Sequence, residues 1–154
     1  MTFSIATLPE QRIAGLSTIM PTPKSYADMA EMSKAKTDYL EKLAQADLAA
    51  VATDQHFYGV NYNANGEQNY LAGVKVTNLP AGYADFTVIA GQYAKFTTKA
   101  ASRNEIDQFI GQSYGELAKS ADYQVAGNFN LEVVDSFIDG KTAEFSIYMP
   151  VMSK

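Results

Sequence analysis

Two acids lie in segments otherwise built for strands, and they have the widest chemical scope of any residues in the chain. Glu132 sits in Asn130-Leu131-Glu132-Val133-Val134, and Glu144 in Ala143-Glu144-Phe145-Ser146-Ile147. Side chains alternate across a strand, so Leu131 and Val133 share one face and Glu132 points to the other. With Leu131 and Val133 taken as facing the helices, Glu132 faces the open side of the sheet. With Phe145, Ile147 and Met149 as the core set of the last strand, Glu144 and Tyr148 face that side too. A carboxylate in an apolar, aromatic cavity carries a desolvation cost that a cationic ligand offsets. Burial also raises a carboxyl pKa, which suits a general base acting on water. The plainer role for either acid is a solvated strand face. For Glu144, close to a turn, the two readings balance; the apolar neighbours of Glu132 favour function.

The aromatic content points the same way. The chain has 10 Tyr, 8 Phe and no Trp, and Tyr58, Tyr62, Tyr70, Tyr93 and Tyr148 fall on predicted strands. Each offers a flat π-face to a planar or cationic ligand and a hydroxyl to a hydrogen-bond partner. Tyrosine is also a good strand residue in its own right, so the set carries the expectation of an aromatic-walled pocket, not any one member. Glu132, Tyr93, Tyr58, Tyr62, Tyr148 and Glu144 are the candidate ligand-binding residues. His56 is the lone histidine and there are no cysteines, which excludes disulfides, thiolate metal sites and cysteine nucleophiles. No phosphate loop, nucleophile elbow or zinc motif is present, and no metal or cofactor is expected.

The elements that must position these residues follow from the pattern. Phe3 to Met20 reads as a strand kinked at Pro9, since proline cannot donate to a ladder; Pro21 and Pro23 then break the chain. Ser25 can cap a helix, and Met29, Met32, Leu40 and Leu43 recur at helical spacing up to about Ala50, with Lys34, Lys36, Glu41 and Lys42 assigned to the other faces. Two strands, Phe57 to Tyr62 and Tyr70 to Val76, flank the turn Asn63-Ala64-Asn65-Gly66. After the loop Asn78-Leu79-Pro80-Ala81-Gly82 the order repeats. Phe86 to Thr97 is a strand, Ser102-Arg103-Asn104-Glu105 a capping box, and Ile106, Phe109, Ile110, Ser113 and Leu117 one helix face. Asn130 to Phe137 and Ala143 to Val151 are strands joined through Asp139-Gly140. The helices are expected near residues 25–50 and 102–119.

The fold class is therefore α+β: one domain over 1–154, built from a duplicated βαββ unit with pseudo-two-fold symmetry, the first half spanning 1–78 and the second 83–154. It predicts an antiparallel sheet with two helices on one face and a ligand cleft on the other. Phe3-Ser4-Ile5 is expected to superpose on Phe86-Thr87-Val88. The net charge of -5 and the absence of a basic cluster argue against binding to nucleic acid. With no signal peptide and no membrane-length apolar run, the expected location is the cytoplasm and the expected state a monomer or weak dimer.

Several runs, in this order, resemble the GyrI-like small-molecule-binding family: Leu8-Pro9-Glu10-Gln11-Arg12-Ile13-Ala14-Gly15-Leu16-Ser17, Tyr58-Gly59-Val60-Asn61-Tyr62, Tyr70-Leu71-Ala72-Gly73-Val74-Lys75-Val76, Ile89-Ala90-Gly91-Gln92-Tyr93-Ala94-Lys95-Phe96, Leu131-Glu132-Val133-Val134-Asp135 and Phe145-Ser146-Ile147-Tyr148-Met149-Pro150-Val151. That family includes effector-binding domains of AraC-type and MerR-type multidrug regulators and the gyrase-inhibitory protein. The resemblance implies an aromatic cleft with a central glutamate, matched here by Glu132, and a tyrosine, matched by Tyr93, that receives lipophilic and often cationic compounds. Leu117-Ala118 and Val134 stand where many members carry a Trp-Leu pair and a further tyrosine, which thins the aromatic wall.

The expected function is that of a stand-alone binding domain for a small lipophilic, cationic compound, acting in drug sensing or sequestration. Two alternatives stay open. One is a hydrolase of reactive strained-ring toxins, with Glu132 as base and Tyr93 stabilising an oxyanion. The other is a protein–protein modulator of the gyrase-inhibitor type, with a regulator or gyrase as partner.

Overall fold

Pro9 interrupts the first strand as its missing N–H requires. β1 (Ser4–Leu8) stops before it and β2 (Gln11–Ile19) starts after Glu10. A computed structural model describes residues 2–20, 25–134, 137–138 and 141–154 of the chain. Pro21, Pro23 and the Asp139-Gly140 turn lie outside the described residues. The order continues with α1 (Tyr26–Gln45), β3 (Phe57–Ala64), β4 (Glu67–Val76), β5 (Ala84–Val88), β6 (Gly91–Ser102), α2 (Arg103–Ala118), β7 (Tyr123–Val125), β8 (Phe129–Val134), β9 (Phe137–Ile138) and β10 (Lys141–Ser153).

Local chemistry explains most boundaries. Asn65 and Gly66 hold positive φ, 54° and 77°, and close a two-residue hairpin between β3 and β4. Ser25 caps α1 by accepting from the Asp28 backbone N–H, and Ser102 and Glu105 form a complete capping box on α2. α1 ends at Gln45, short of Ala50, where the Ala46 N–H turns back to the Leu43 carbonyl and Leu48 drops into the core.

The sheet is antiparallel throughout its pairings, in the order β1-β6-β10-β8-β3-β4-β2-β5, with β7 and β9 added along β10. Replacing each strand by its counterpart in the other half turns this order into its own reverse, the signature of a duplicated unit. β1 and β2 are joined by two residues yet sit near opposite ends of the order; so do β5 and β6. A two-residue link spans only about 10 Å, so the sheet curls until its ends meet. The matching breaks, at 9–10 and at 89–90, align Leu8 with Val88. That is a three-residue shift from the expected superposition of Phe3-Ser4-Ile5 on Phe86-Thr87-Val88, because the strand break, not the aromatic, sets the correspondence.

Both helices cover one face of the sheet. α1 places Leu40 and Leu43 over Ala14, Tyr70, Ala72, Val74 and Val76. α2 places Ile106, Ile110 and Leu117 over Ala94, Phe96, Val134, Phe145, Ile147 and Met149. The face away from the helices is filled by the sheet's own side chains: Ile13, Tyr58, Val60, Leu71, Val88, Tyr93, Phe129 and Leu131 are buried there, with Leu8, Tyr62, Phe86, Val133 and Tyr148 half-buried around them. Curling brings side chains from eight strands into one cluster on the face where the cleft was expected. Burying each large apolar side chain contributes about 1.5–3 kcal/mol. No helix among the described residues is long and apolar enough to cross a membrane.

Candidate functional site

Where α1, α2 and the centre of the sheet meet, four ionised side chains are buried together. Glu132 stands on β8 with its neighbours fixed by register: Gly59 opposite on β3 and Ile147 opposite on β10. Ile147 belongs to the core beneath α2, so Glu132 points toward the helices. The alternation against Leu131 and Val133 holds as expected; the helices lie on the side opposite to the one assigned. Gly59 leaves the room. A Cβ there would lie 2.9 Å from Glu132 Oε1 and 2.9 Å from Tyr70 Cε1.

Helix α2 brings Arg103 and Asp107, one turn apart, onto this carboxylate. Arg103 Nη1 donates to Glu132 Oε1 at 2.8 Å, while Nη2 and Nε donate to Asp107 at 2.6 and 3.2 Å. Helix α1 brings Ser33 and Lys36. Lys36 Nζ donates to Asp107 Oδ1 at 3.0 Å and to Glu132 Oε2 at 3.2 Å, and Ser33 Oγ donates to Asp107 Oδ2 at 2.6 Å. The sheet adds Asn61, whose Nδ2 reaches Glu132 Oε2 at 2.6 Å and Asn130 Oδ1 at 2.8 Å. Asn130 donates in turn to the Tyr114 hydroxyl at 3.0 Å. Lys36, Arg103, Asp107 and Glu132 are 3, 5, 4 and 0% exposed, and their formal charges sum to zero.

Electrostatics follow from this geometry. Burial alone would raise the Glu132 carboxyl pKa, but the Arg103 guanidinium and Lys36 ammonium outweigh it and hold the group below its ordinary value. Asp107 is likewise held well down, burial opposing and the same two cations prevailing. The pKa raised by burial that would suit a general base is thus reversed: this is an ionised carboxylate of low basicity. Tyr70 lies beside the pair, wholly buried, with Lys36 Nζ 5.0 Å from its ring centroid. Its hydroxyl is buried with no hydrogen-bond partner among the described residues. Burial first, and then the Glu132 charge, keep it protonated.

The remaining candidates lie elsewhere. Tyr58, Tyr62, Tyr93 and Tyr148 gather on the face away from the helices, beside Phe86 and Phe129. Tyr93 is 1% exposed and donates to the Ile89 carbonyl, and Tyr58 donates to Asp54. Glu144 is exposed and registers opposite Lys99. The structure therefore unites four tyrosines on one side and sets Glu132 on the other. Glu132 and Tyr93 thus lie on opposite faces of the sheet.

Sequence reasoning missed Lys36, Arg103, Asp107 and Asn61 as site residues, and reached Tyr70 only as one of the strand tyrosines. The sequence reading assigns Lys36 to an outer face of α1, yet it falls on the stripe that runs from Met32 through Leu40 and Leu43. Arg103 and Asp107, four apart, share the face of Ile106 and Ile110. A charge standing on an apolar stripe was the signal available.

The curled antiparallel sheet with two helices on one face is a GyrI-like fold. The model of the integron-associated effector binding protein family matches residues 4–151, and the chain belongs to that family. No curated protein matches. Among solved structures, SAV2435 bound to tetraphenylphosphonium is similar with a TM-score of 0.79 at 15% identity, over 99% of this chain and 94% of that one. An integron cassette protein from the mobile metagenome of Vibrio cholerae gives 0.64 at 13%, over 97% and 95%. The C-terminal domain of EcmrR gives 0.55 at 13%, over 100% of both. At these identities the likeness is one of fold.

Proposed function

We propose that this domain binds lipophilic organic cations, and that Glu132 and Asp107, in the seam between α1 and α2, receive the positive charge. The observation that carries this reading is the fully buried Glu132 carboxylate beside the Tyr70 ring and its unpartnered hydroxyl. A desolvated carboxylate with an aromatic face beside it attracts a cation without demanding one shape, and the cation–π contact adds about 0.5–2 kcal/mol. Tetraphenylphosphonium, the compound bound to SAV2435, is such a cation. The net charge of -5 speaks against direct contact of this domain with DNA.

The test is calorimetric titration of wild type and Glu132→Gln with tetraphenylphosphonium and with neutral triphenylphosphine oxide. The substitution keeps the shape and removes the charge, so the cation should lose on the order of 2–5 kcal/mol of binding and the neutral compound much less. Equal, small losses for both would remove Glu132 from the binding site.

A further inference from the structure

The cation subsite just described is already filled by a side chain of the protein. Lys36 Nζ bridges Asp107 Oδ1 at 3.0 Å and Glu132 Oε2 at 3.2 Å, and lies 5.0 Å from the Tyr70 ring centroid. Two carboxylate acceptors and an aromatic face are what a free organic ammonium would seek. We propose that Lys36 is a built-in occupant of this subsite, displaced when a ligand binds, and that the ligand head group it stands in for is a primary alkylammonium. The inference rests on reading the seam as a cation site and names the chemistry of that cation.

Three observations favour displacement of Lys36 over displacement of Arg103. Arg103 grips Asp107 through two nitrogens and Glu132 through a third, a planar fork that is costly to replace. Lys36 is a compact ammonium on a flexible four-carbon stem, with two acceptors, and its stem lets the head group swing away while α1 stays in place. The Tyr70 hydroxyl is buried with no hydrogen-bond partner among the described residues, so its oxygen is an acceptor that Lys36 leaves unused and a ligand ammonium can use. Because the four charges sum to zero with Lys36 in place, a ligand that expels it restores the same balance. One that enters without expelling it leaves an extra buried positive charge.

The experiment removes the occupant and offers its head group back. Lys36→Ala leaves the subsite one cation short; Lys36→Ala with Asp107→Asn returns the remaining charges to balance. Thermal unfolding of wild type and both variants is followed against propylammonium chloride, with tetramethylammonium chloride at equal ionic strength as control. The expected result is a saturable rise in the Tm of Lys36→Ala with propylammonium that exceeds the control, and no such rise in wild type or the double variant. If Lys36→Ala has no cooperative transition alone, propylammonium should restore one. No selective effect of propylammonium on Lys36→Ala, or an equal effect on the double variant, overturns the proposal. Separately, 3-phenylpropylammonium should bind Lys36→Ala at least tenfold more tightly than wild type, and equal or weaker binding overturns the displacement model. Tetraphenylphosphonium that binds no variant would sink the lipophilic-cation reading, while the propylammonium result still decides the role of Lys36.

Discussion

Glu132→Gln should destabilise the fold as strongly as a large core truncation does, and the structure allows the size to be worked out. The native carboxylate accepts from Arg103, Lys36 and Asn61. Glutamine has a single oxygen to offer; wherever it points, its NH2 faces at least one of these donors. The charge change leaves two cations against Asp107 alone, all three nearly inaccessible to water. Breaking a buried ion pair by removing one partner costs about 3–5 kcal/mol. In a domain of this size each kcal/mol moves the Tm by about 2–4 °C, so the midpoint should fall by roughly 6–20 °C. Adding Lys36→Met removes the surplus charge, and the double variant should recover part of the loss, with a coupling of about 0.5–3 kcal/mol. Urea denaturation of wild type, both singles and the double, with unchanged m-values, measures this cycle. A loss under about 1 kcal/mol for Glu132→Gln, or simple additivity in the double, would show that these charges do not interact as a buried network.

Two other perturbations test the same geometry. Glu132 and Asp107 ionise below their ordinary values of 4.5 and 3.8 when folded, so the unfolded chain binds more protons there. Their contribution is complete above those values and is lost as the pH falls through about 4.5 toward 2; urea midpoints should drop across that window, and Asp107→Asn should flatten the drop. Gly59→Ala places a Cβ 2.9 Å from both Glu132 Oε1 and Tyr70 Cε1 and should cost about 1–3 kcal/mol. Gly111→Ala on α2, where a Cβ meets nothing within 4 Å, should stabilise by about 0.8–1 kcal/mol, and similar effects from the two in calorimetry would contradict the crowding at Gly59.

The fold was legible where one local rule governs an element. The Ser102–Glu105 box and the Asn65-Gly66 turn each have a single physical cause, and each fell where that cause put it; Pro9 marked the right place, but the kink expected within one strand is a passage between two, β1 pairing with β6 and β2 with β4 and β5. The three-residue shift between the halves arose because an aromatic at a strand's start carries no positional constraint, whereas a break between ladders does. Glu132 shows a different limit. Alternation along one strand says which residues share a face, but not which face meets the helices; that depends on register with β3 and β10, a nonlocal property. Ile147, already assigned to the helix-side core, lies opposite Glu132, so one cross-strand pairing would have settled the matter. The tyrosines show a related limit: curling of the sheet packs Tyr58, Tyr62, Tyr93 and Tyr148 together on the face away from the helices and leaves Tyr70 on the other, a division that no single strand's pattern displays.

Position on the apolar stripe of α1, not residue type, sets the place of Lys36, and that place bears on why the site is polar at all. Four ions at the junction of both helices and the sheet contribute little to stability, since each gives up several kcal/mol of hydration and apolar replacements of similar volume are often as stable or more so. The surrounding clusters show that this sheet can be covered by leucine, isoleucine and phenylalanine on either side of the junction. Geometry of this quality, with Asp107 taking four donors and Glu132 three, holds two carboxylates ionised and oriented in a dry site. The proposed binding of a cation would use that arrangement directly: the carboxylates are desolvated and aimed during folding, so a ligand taking the place of one ammonium would not have to desolvate them again.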